Sequence, residues 1–152
     1  MSLMTHQEMT HQKHKYTFTV LESHLDTFGH VNNATYLTLF EQARWDLIHG
    51  RGFGMDEIKE SGLGPTILEA NIKYKRELRN RQVITIETWC PEYKGKVGYV
   101  HQEMLNEKNE ICAELKLTVA LFDVKKRKLV NATPEWLKAI GFSEEQIKNY
   151  DQ

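Results

Sequence analysis

The chain has 152 residues, of which 40% are hydrophobic and 27% charged, and this length and balance fit one globular domain with a core of its own. Its formal net charge of −1 argues against a nucleic-acid binder, which needs an excess of Lys and Arg to neutralise phosphates. The sequence has no run of about 18 apolar residues, so we expect no membrane-spanning segment.

Residues 1–14 are polar and show no hydrophobic periodicity. They predict a flexible tail, followed by a single domain over residues 15–152. The tail contains His6, His11 and His14. Imidazoles can bind zinc, but the carboxylate or thiolate partners of a closed site are missing, so we expect no metal site.

Apolar and polar residues alternate over residues 16–20, which predicts a first strand. A polar loop over residues 22–30 follows. Apolar residues then recur at spacings of three, four and seven, which predicts a helix over about residues 33–49. Leu37 and Trp45 widen its apolar stripe, so we expect the helix to be covered on most sides.

The second half of the chain changes to a period of two. Further strands are predicted at about residues 68–78, 83–90, 98–105 and 111–121. Short polar turns join them, which favours an antiparallel sheet. Short helices are predicted at about residues 134–140 and from residue 143. This order predicts an α+β fold in which the sheet curls round the long helix.

The two cysteines indicate a cellular compartment. Cys90 and Cys112 stand singly in strand-like runs and form no CxxC motif. We expect them to be buried, unpaired thiols in a reducing environment. Because the N-terminal residues also lack the apolar core of a signal peptide, the sequence predicts a cytoplasmic protein.

Functional side chains are densest at residues 26–33, Asp-Thr-Phe-Gly-His-Val-Asn-Asn. Either Asn32 or Asn33 can cap the long helix. The unpaired N–H groups of its first turn and the helix dipole favour developing negative charge, such as the oxyanion of a thioester under attack. Asp26 is close by in sequence, able to act as a nucleophile or to orient a water as general base.

Each of these residues also has a purely structural interpretation. Asp26 can cap a turn, His30 can pack within the loop, and the two asparagines can simply begin the helix. Gly29 is assigned to the turn itself. The whole set at this spacing nevertheless favours a catalytic site.

The pattern Asp-x-x-Gly-His-x-Asn-Asn, followed by Tyr36 and by Phe-Glu-Gln-Ala-Arg at residues 40–44, resembles the 4-hydroxybenzoyl-CoA thioesterase family of hotdog proteins. The resemblance extends from about residue 16 to about residue 124. It implies the hotdog fold, a five-stranded antiparallel sheet wrapped round one long central helix. It also implies homodimers with two shared active sites, often homotetramers, and hydrolysis of acyl-CoA thioesters without a metal or an organic cofactor.

The resemblance assigns roles to the motif. Asp26 matches the catalytic aspartate, and Asn33 matches the position whose backbone N–H polarises the thioester carbonyl. His30 and Asn32 also match motif positions, and Asn32 is taken as a substrate-binding residue. We assign His30 a positioning role through its ring N–H, because a general-base histidine requires a carboxylate partner that the sequence does not identify.

Other residues are candidates for binding the substrate. Lys75, Arg76 and Arg79 belong to a basic cluster that could meet the phosphates of CoA, although basic residues are also usual on the solvated face of a strand. Tyr36 is a candidate for the acyl or aryl pocket, although its helical spacing suits the core equally well.

One segment departs from the family pattern. Residues 74–78 read Tyr-Lys-Arg-Glu-Leu, with Glu77 where relatives often carry proline in Tyr-x-Arg-Pro-Leu. The Gly-Asp turn that commonly follows appears here as Asn80-Arg81. These changes leave the catalytic loop intact and concern how substrate is held.

Three functions are therefore compatible with the sequence. The leading hypothesis is an acyl-CoA thioesterase. The same residues also suit a thioesterase that acts on acyl carrier protein, since basic patches would serve that acidic partner too. A non-catalytic acyl-CoA-binding module on the same fold is the third. A hotdog dehydratase is disfavoured, because its His and acidic residue arrangement on the helix is not found here.

Overall fold

The computed structural model describes residues 13–150. Its strands are β1 (His14–Thr19), β2 (Leu63–Tyr74), β3 (Val83–Lys94), β4 (Val97–Leu105), β5 (Ile111–Asp123) and β6 (Lys128–Val130). Its α-helices are α1 (Asn33–Gly50), α2 (Met55–Ser61), α3 (Pro134–Ala139) and α4 (Glu144–Lys148). Most of the predicted tail, including His6 and His11, lies outside the described residues, whereas His14 begins β1.

The long strands form one antiparallel sheet in the order β1-β3-β4-β5-β2. The short strand β6 pairs with the last residues of β5. The helix α1 packs against the inner face of this sheet. The predicted α+β architecture, the hotdog fold with its sheet round a long helix, is confirmed. In this order β1 and β2 are the edge strands of the long path.

The helix α1 is buried on one side. It buries Tyr36, Leu39, Phe40, Ala43, Leu47 and Ile48, which recur on one face at helical spacing. The opposite face is exposed, and Leu37 on that face retains 41% of its accessible surface. The prediction that α1 is covered on most sides is wrong for this face of the single chain, where Leu37 stays exposed.

Strand β2 begins earlier and ends earlier than the sequence predicted. A β-bulge between Ile67 and Glu69 interrupts its pairing with β5, which shifts the alternation of side chains along the strand. At its far end the chain leaves the sheet, because the N–H groups of Lys75 and Arg76 both donate to the Cys112 carbonyl, at 2.9 and 3.0 Å. Residues 75–78 are therefore a loop and not the end of a strand.

The C-terminal helices close the other end of α1. Thr133 caps α3, since its Oγ1 accepts the Trp136 N–H at 3.2 Å. The buried Trp136 ring packs on Phe53, with centroids 5.2 Å apart, and its Nε1 donates to the Tyr93 hydroxyl at 3.1 Å.

The two cysteines are buried and free, as predicted. Burial raises the pKa of the Cys90 thiol to about 12, so this group stays protonated and unreactive at neutral pH. Burial also raises the pKa of Cys112.

Candidate active site

The loop before α1 is closed by the side chain of Asp26. Its Oδ1 accepts the N–H groups of Phe28 and His30 at 2.9 and 3.1 Å. Its backbone N–H donates to the His30 carbonyl at 2.8 Å, and Gly29 adopts the left-handed conformation, with φ of 80°, that this turn requires. Among the described residues nothing donates to Oδ2, the second carboxylate oxygen of Asp26. Asp26 therefore caps the turn with Oδ1 and keeps Oδ2 free.

The first turn of α1 presents an unused backbone donor. Asn32 is the N-cap, and its Oδ1 accepts the Ala34 N–H at 2.8 Å. Asn33 is the first helical residue, and no acceptor within residues 13–150 receives its N–H. A free N–H at the positive end of the helix dipole is suited to bind an oxyanion.

An open cleft of about 370 Å³ lies beside this helix start. It is lined by His30, Val31, Asn33, Tyr36, Tyr74, Lys75, Arg76 and Glu77. The structure thus gathers most of the predicted site residues in one place. Asp26 and Asn32 do not line the cleft, although they adjoin its wall in sequence, and Arg79 lies in a neighbouring cleft.

Two tyrosines form one wall of the cleft. The hydroxyl of Tyr74 donates to the carbonyl of Asn33 at 3.1 Å. Its ring packs edge-on against the ring of Tyr36, with centroids 5.0 Å apart. Tyr36 is buried, and this burial raises the pKa of its hydroxyl. Tyr74 was not predicted as a site residue, and it ties β2 to the first turn of α1.

A carboxylate faces the motif histidine across the cleft. Nε2 of His30 lies 2.9 Å from Oε1 of Glu77. The sequence did not identify this partner, because the two residues are far apart in the chain. A signal was present, since Glu77 stands where relatives often carry proline.

The predicted CoA-binding basic residues are largely engaged in ion pairs. Nζ of Lys75 lies 3.0 Å from Glu114, and the Arg76 guanidinium lies 3.2 Å from Glu110. Arg79 lines an adjacent cleft of about 680 Å³, and its guanidinium forms no ion pair within the described part of the chain. Their role in binding CoA stays a prediction.

A smaller apolar cavity of about 110 Å³ lies between α1 and the sheet, and three tryptophans contribute to its lining. Arg44 reaches this cavity and donates from Nη1 to Oε1 of the buried Gln102 at 3.0 Å. Nε2 of Gln102 donates to the Phe40 carbonyl and to Oγ1 of Thr88, both at 3.0 Å. Burial lowers the pKa of Arg44. No sequence pattern indicated this polar network inside the core.

Across residues 13–150 no group of three or more His, Cys, Asp or Glu side chains is arranged to hold a metal ion. In the same part of the chain, none of the helices has the length and apolar character needed to cross a membrane.

Sequence comparisons relate the chain to thioesterases. A model of the thioesterase-like superfamily matches residues 20–140. The long-chain acyl-CoA thioesterase FadM of Escherichia coli K12 is 29% identical over 106 residues, which cover 69% of this chain and 80% of FadM. The putative acyl-CoA thioesterase YneP of Bacillus subtilis 168 is 25% identical over 114 residues, which cover 73% of this chain and 83% of YneP.

Solved structures agree with this relationship. The probable thioesterase YbaW from Escherichia coli superposes with a TM-score of 0.74 at 26% identity, covering 84% of this chain and 98% of YbaW. SAV2348 from Staphylococcus aureus, solved in complex with CoA, has a TM-score of 0.80 at 18% identity. That match covers 93% of this chain and 87% of SAV2348, and at this identity it shows the shared fold.

Proposed function

This chain belongs to the thioesterase-like superfamily and is a thioester hydrolase, and we propose that it cleaves acyl-CoA thioesters to a free acid and CoA. The relatives FadM and YneP carry acyl-CoA thioesterase names, which supports CoA as the acyl carrier. The finer assignment, to the 4-hydroxybenzoyl-CoA thioesterase family, rests on the motif at residues 26–33.

The proposed chemistry centres on Asp26 and Asn33. The carbonyl oxygen of the thioester accepts the free N–H of Asn33, which stabilises the negative charge that develops during attack. The Asp26 carboxylate, through Oδ2, attacks the carbonyl carbon or activates a water that does so. The observation that carries this proposal is the Asp26 loop, which its own hydrogen bonds hold in shape and which leads into the first turn of α1, where Asn33 at the wall of the open cleft has an unused N–H.

The substrate would then lie along the cleft. We propose that Tyr36 contacts the acyl group near the thioester and that Asn32 keeps the first turn of α1 in place beneath it. The CoA phosphates would meet Lys75, Arg76 and Arg79 on the rim, where guanidinium groups suit phosphate oxygens. Binding there would exchange the present ion pairs with Glu114 and Glu110 for pairs with phosphate.

We further propose a cytoplasmic homodimer, or a tetramer built from it. The long strand β2 is an edge strand, and its Ile67 and Leu68 keep 42% and 48% of their accessible surface. Leu37 on the open face of α1 is exposed as well. A second copy would cover these apolar side chains and the unpaired strand edge. The buried, free cysteines suit a reducing compartment.

Free-thiol release from short, medium, long and aromatic acyl-CoA esters tests the function, with wild type beside Asp26→Asn. Asparagine keeps an Oδ1 that can accept the N–H groups of Phe28 and His30, so the loop persists while the charge is lost. We expect turnover to fall by about 10²–10⁴-fold, the usual contribution of a positioned acid or base.

Asp123→Asn is the matched control. Oδ1 of Asp123 accepts the N–H groups of Lys125 and Lys126 at 2.9 and 3.0 Å, in a turn of the same kind outside the cleft. It should retain wild-type turnover. Full activity in Asp26→Asn would contradict the role of Asp26. Absence of thiol release from every CoA ester in wild type would favour acyl carrier protein as the carrier, tested with the same acyl chains, and then a binding role.

A further inference from the structure

His30 is held from two sides. Its backbone N–H donates to Oδ1 of Asp26 at 3.1 Å, and its carbonyl accepts the Asp26 N–H at 2.8 Å. Its ring Nε2 lies 2.9 Å from Oε1 of Glu77. The imidazole is therefore joined to the Asp26 loop through its backbone and to the loop after β2 through its ring.

The Glu77 contact determines the protonation of the imidazole. An ionised carboxylate only accepts hydrogen bonds, so Nε2 of His30 must carry the proton in this pair. In a neutral imidazole the other nitrogen, Nδ1, is then a hydrogen-bond and proton acceptor. If Nδ1 takes up a proton, the carboxylate of Glu77 stabilises the resulting imidazolium, as in other base–carboxylate pairs.

The other charged groups of the cleft are directed elsewhere. Lys75 and Arg76 pair with Glu114 and Glu110. Oδ1 of Asp26 is engaged by two backbone N–H groups of its own loop. Glu77 is thus the carboxylate that the cleft offers to His30, and both residues line it together with Asn33.

We propose that Glu77 is a positioning residue that fixes His30 in the Nε2–H tautomer, so that Nδ1 accepts the proton of the hydrolytic water. The proposal rests on the thioesterase function proposed above and replaces the purely positioning role that the sequence predicted for His30. It assigns the proton transfer to His30 and leaves to Asp26 the nucleophilic role.

The proposed reaction has two steps. Oδ2 of Asp26 bonds to the carbonyl carbon, the C–S bond breaks, and the CoA thiolate leaves an acyl–Asp26 anhydride. Water then bonds to the acyl carbon while Nδ1 of His30 takes its proton, and the Asp26 carboxylate departs. The proton on Nδ1 passes to the thiolate, so the products are the free acid and the CoA thiol. No oxidant, reductant or further reactant is required.

Two substitutions separate the charge of Glu77 from its hydrogen bond. Glu77→Gln keeps an acceptor for Nε2 but removes the charge, whereas Glu77→Ala removes both. Glu77 is half exposed, so both variants should fold. We expect kcat to fall about 10-fold or more in Glu77→Gln and further in Glu77→Ala, within the 10²–10⁴-fold that a general base contributes. KM should fall together with kcat and kcat/KM should change little, because the slowed water step comes after the thioester has reacted and Glu77 does not contact CoA.

Two further measurements distinguish this role from a structural one. In rapid mixing, Glu77→Gln should release a burst of about one thiol per active site, because the first step is intact and the water step is slowed. In ¹⁵N spectra of the imidazole at neutral pH, wild type should show the Nε2–H tautomer and Glu77→Ala a mixture of tautomers. The spectra need no substrate.

Glu22→Gln is the control, since Glu22 forms an equally exposed ion pair with Arg81 outside the cleft, and it should keep wild-type kcat and show no burst. An unchanged kcat in Glu77→Ala would overturn the proposal, and so would a fall in kcat without a burst in Glu77→Gln. In both of these cases the thioesterase function would still be supported if the wild type is active and Asp26→Asn is inactive. A wild type without activity would contradict the thioesterase function itself. Independently of activity, ¹⁵N spectra in which Glu77→Ala keeps the Nε2–H tautomer would overturn the role of Glu77.

Discussion

The two ends of α1 are held by different interactions. At its N-terminal end the surroundings are joined by exposed ion pairs, such as His30 with Glu77 across the cleft. At its C-terminal end the helix is closed by buried apolar packing, in which Trp136 contacts Phe53 and bonds to Tyr93. The N-terminal end is polar and open to solvent, and the C-terminal end is buried and apolar.

This contrast separates stability from chemistry. An exposed ion pair contributes about 0–1 kcal/mol, whereas deleting a buried aromatic side chain costs about 3–5 kcal/mol. The fold is therefore secured at the end that carries no candidate catalytic group. The cleft end is left with groups that can exchange partners when substrate arrives, and changes there should alter turnover more than stability.

The largest expected effect on stability is at the apolar end. Trp136→Ala should lower the free energy of unfolding by about 3–5 kcal/mol, because it opens a cavity beside Phe53 and leaves the buried Tyr93 hydroxyl without its donor. Urea unfolding measures this loss. Trp136→Phe, which keeps an aromatic ring, should lose clearly less. If Trp136→Ala cost under about 1 kcal/mol, the C-terminal end would not be the anchor that its packing indicates.

A smaller effect is expected at the cleft end. Asn32→Ala removes the side chain that caps α1 and should cost about 1 kcal/mol, whereas Asn32→Asp keeps an acceptor for the Ala34 N–H and should cost less. Urea unfolding of the two variants gives the cost of the cap, and thiol release gives its effect on turnover. A loss in Asn32→Ala as large as in Trp136→Ala would show that stability resides at both ends.

The fold could be predicted because its long elements carry clear periodicity. The helix α1 and the strands β3 to β5 have apolar residues at the spacing that their structure requires. The strand β2 was misplaced because a bulge at Ile67 breaks its alternation. The short elements α2 and β6 were missed, since so few residues carry little periodic signal.

The candidate site, like the fold, has a part that the sequence predicted and a part that it did not. Asp26, His30 and Asn33 lie within one short segment, so their spacing alone predicted that they act together, and the role of each awaits the experiments above. The partner of His30 and the Arg44–Gln102 pair join residues distant in the chain. Such pairs depend on how β2 and β4 are placed against α1, which local pattern does not encode.

The smallest expected effect tests how little the exposed pairs contribute. Nε of Arg81 donates to Oε2 of Glu22 at 2.9 Å, and this bond holds the pKa of Glu22 down to about 2, below its ordinary value of 4.5. Since the pKa is lower in the folded state, the pair stabilises the fold above about pH 4.5, and this contribution is lost as the pH falls towards 2. The difference in urea midpoint between wild type and Glu22→Gln should therefore be small at pH 7, shrink in added salt, and vanish near pH 2. A difference that persisted at pH 2 would not come from this carboxylate. A difference at pH 7 as large as that of Asn32→Ala would mean that an exposed ion pair contributes as much to stability as the cap of α1, so that the contrast between exposed pairs and buried packing would be weaker than the two ends of α1 suggest.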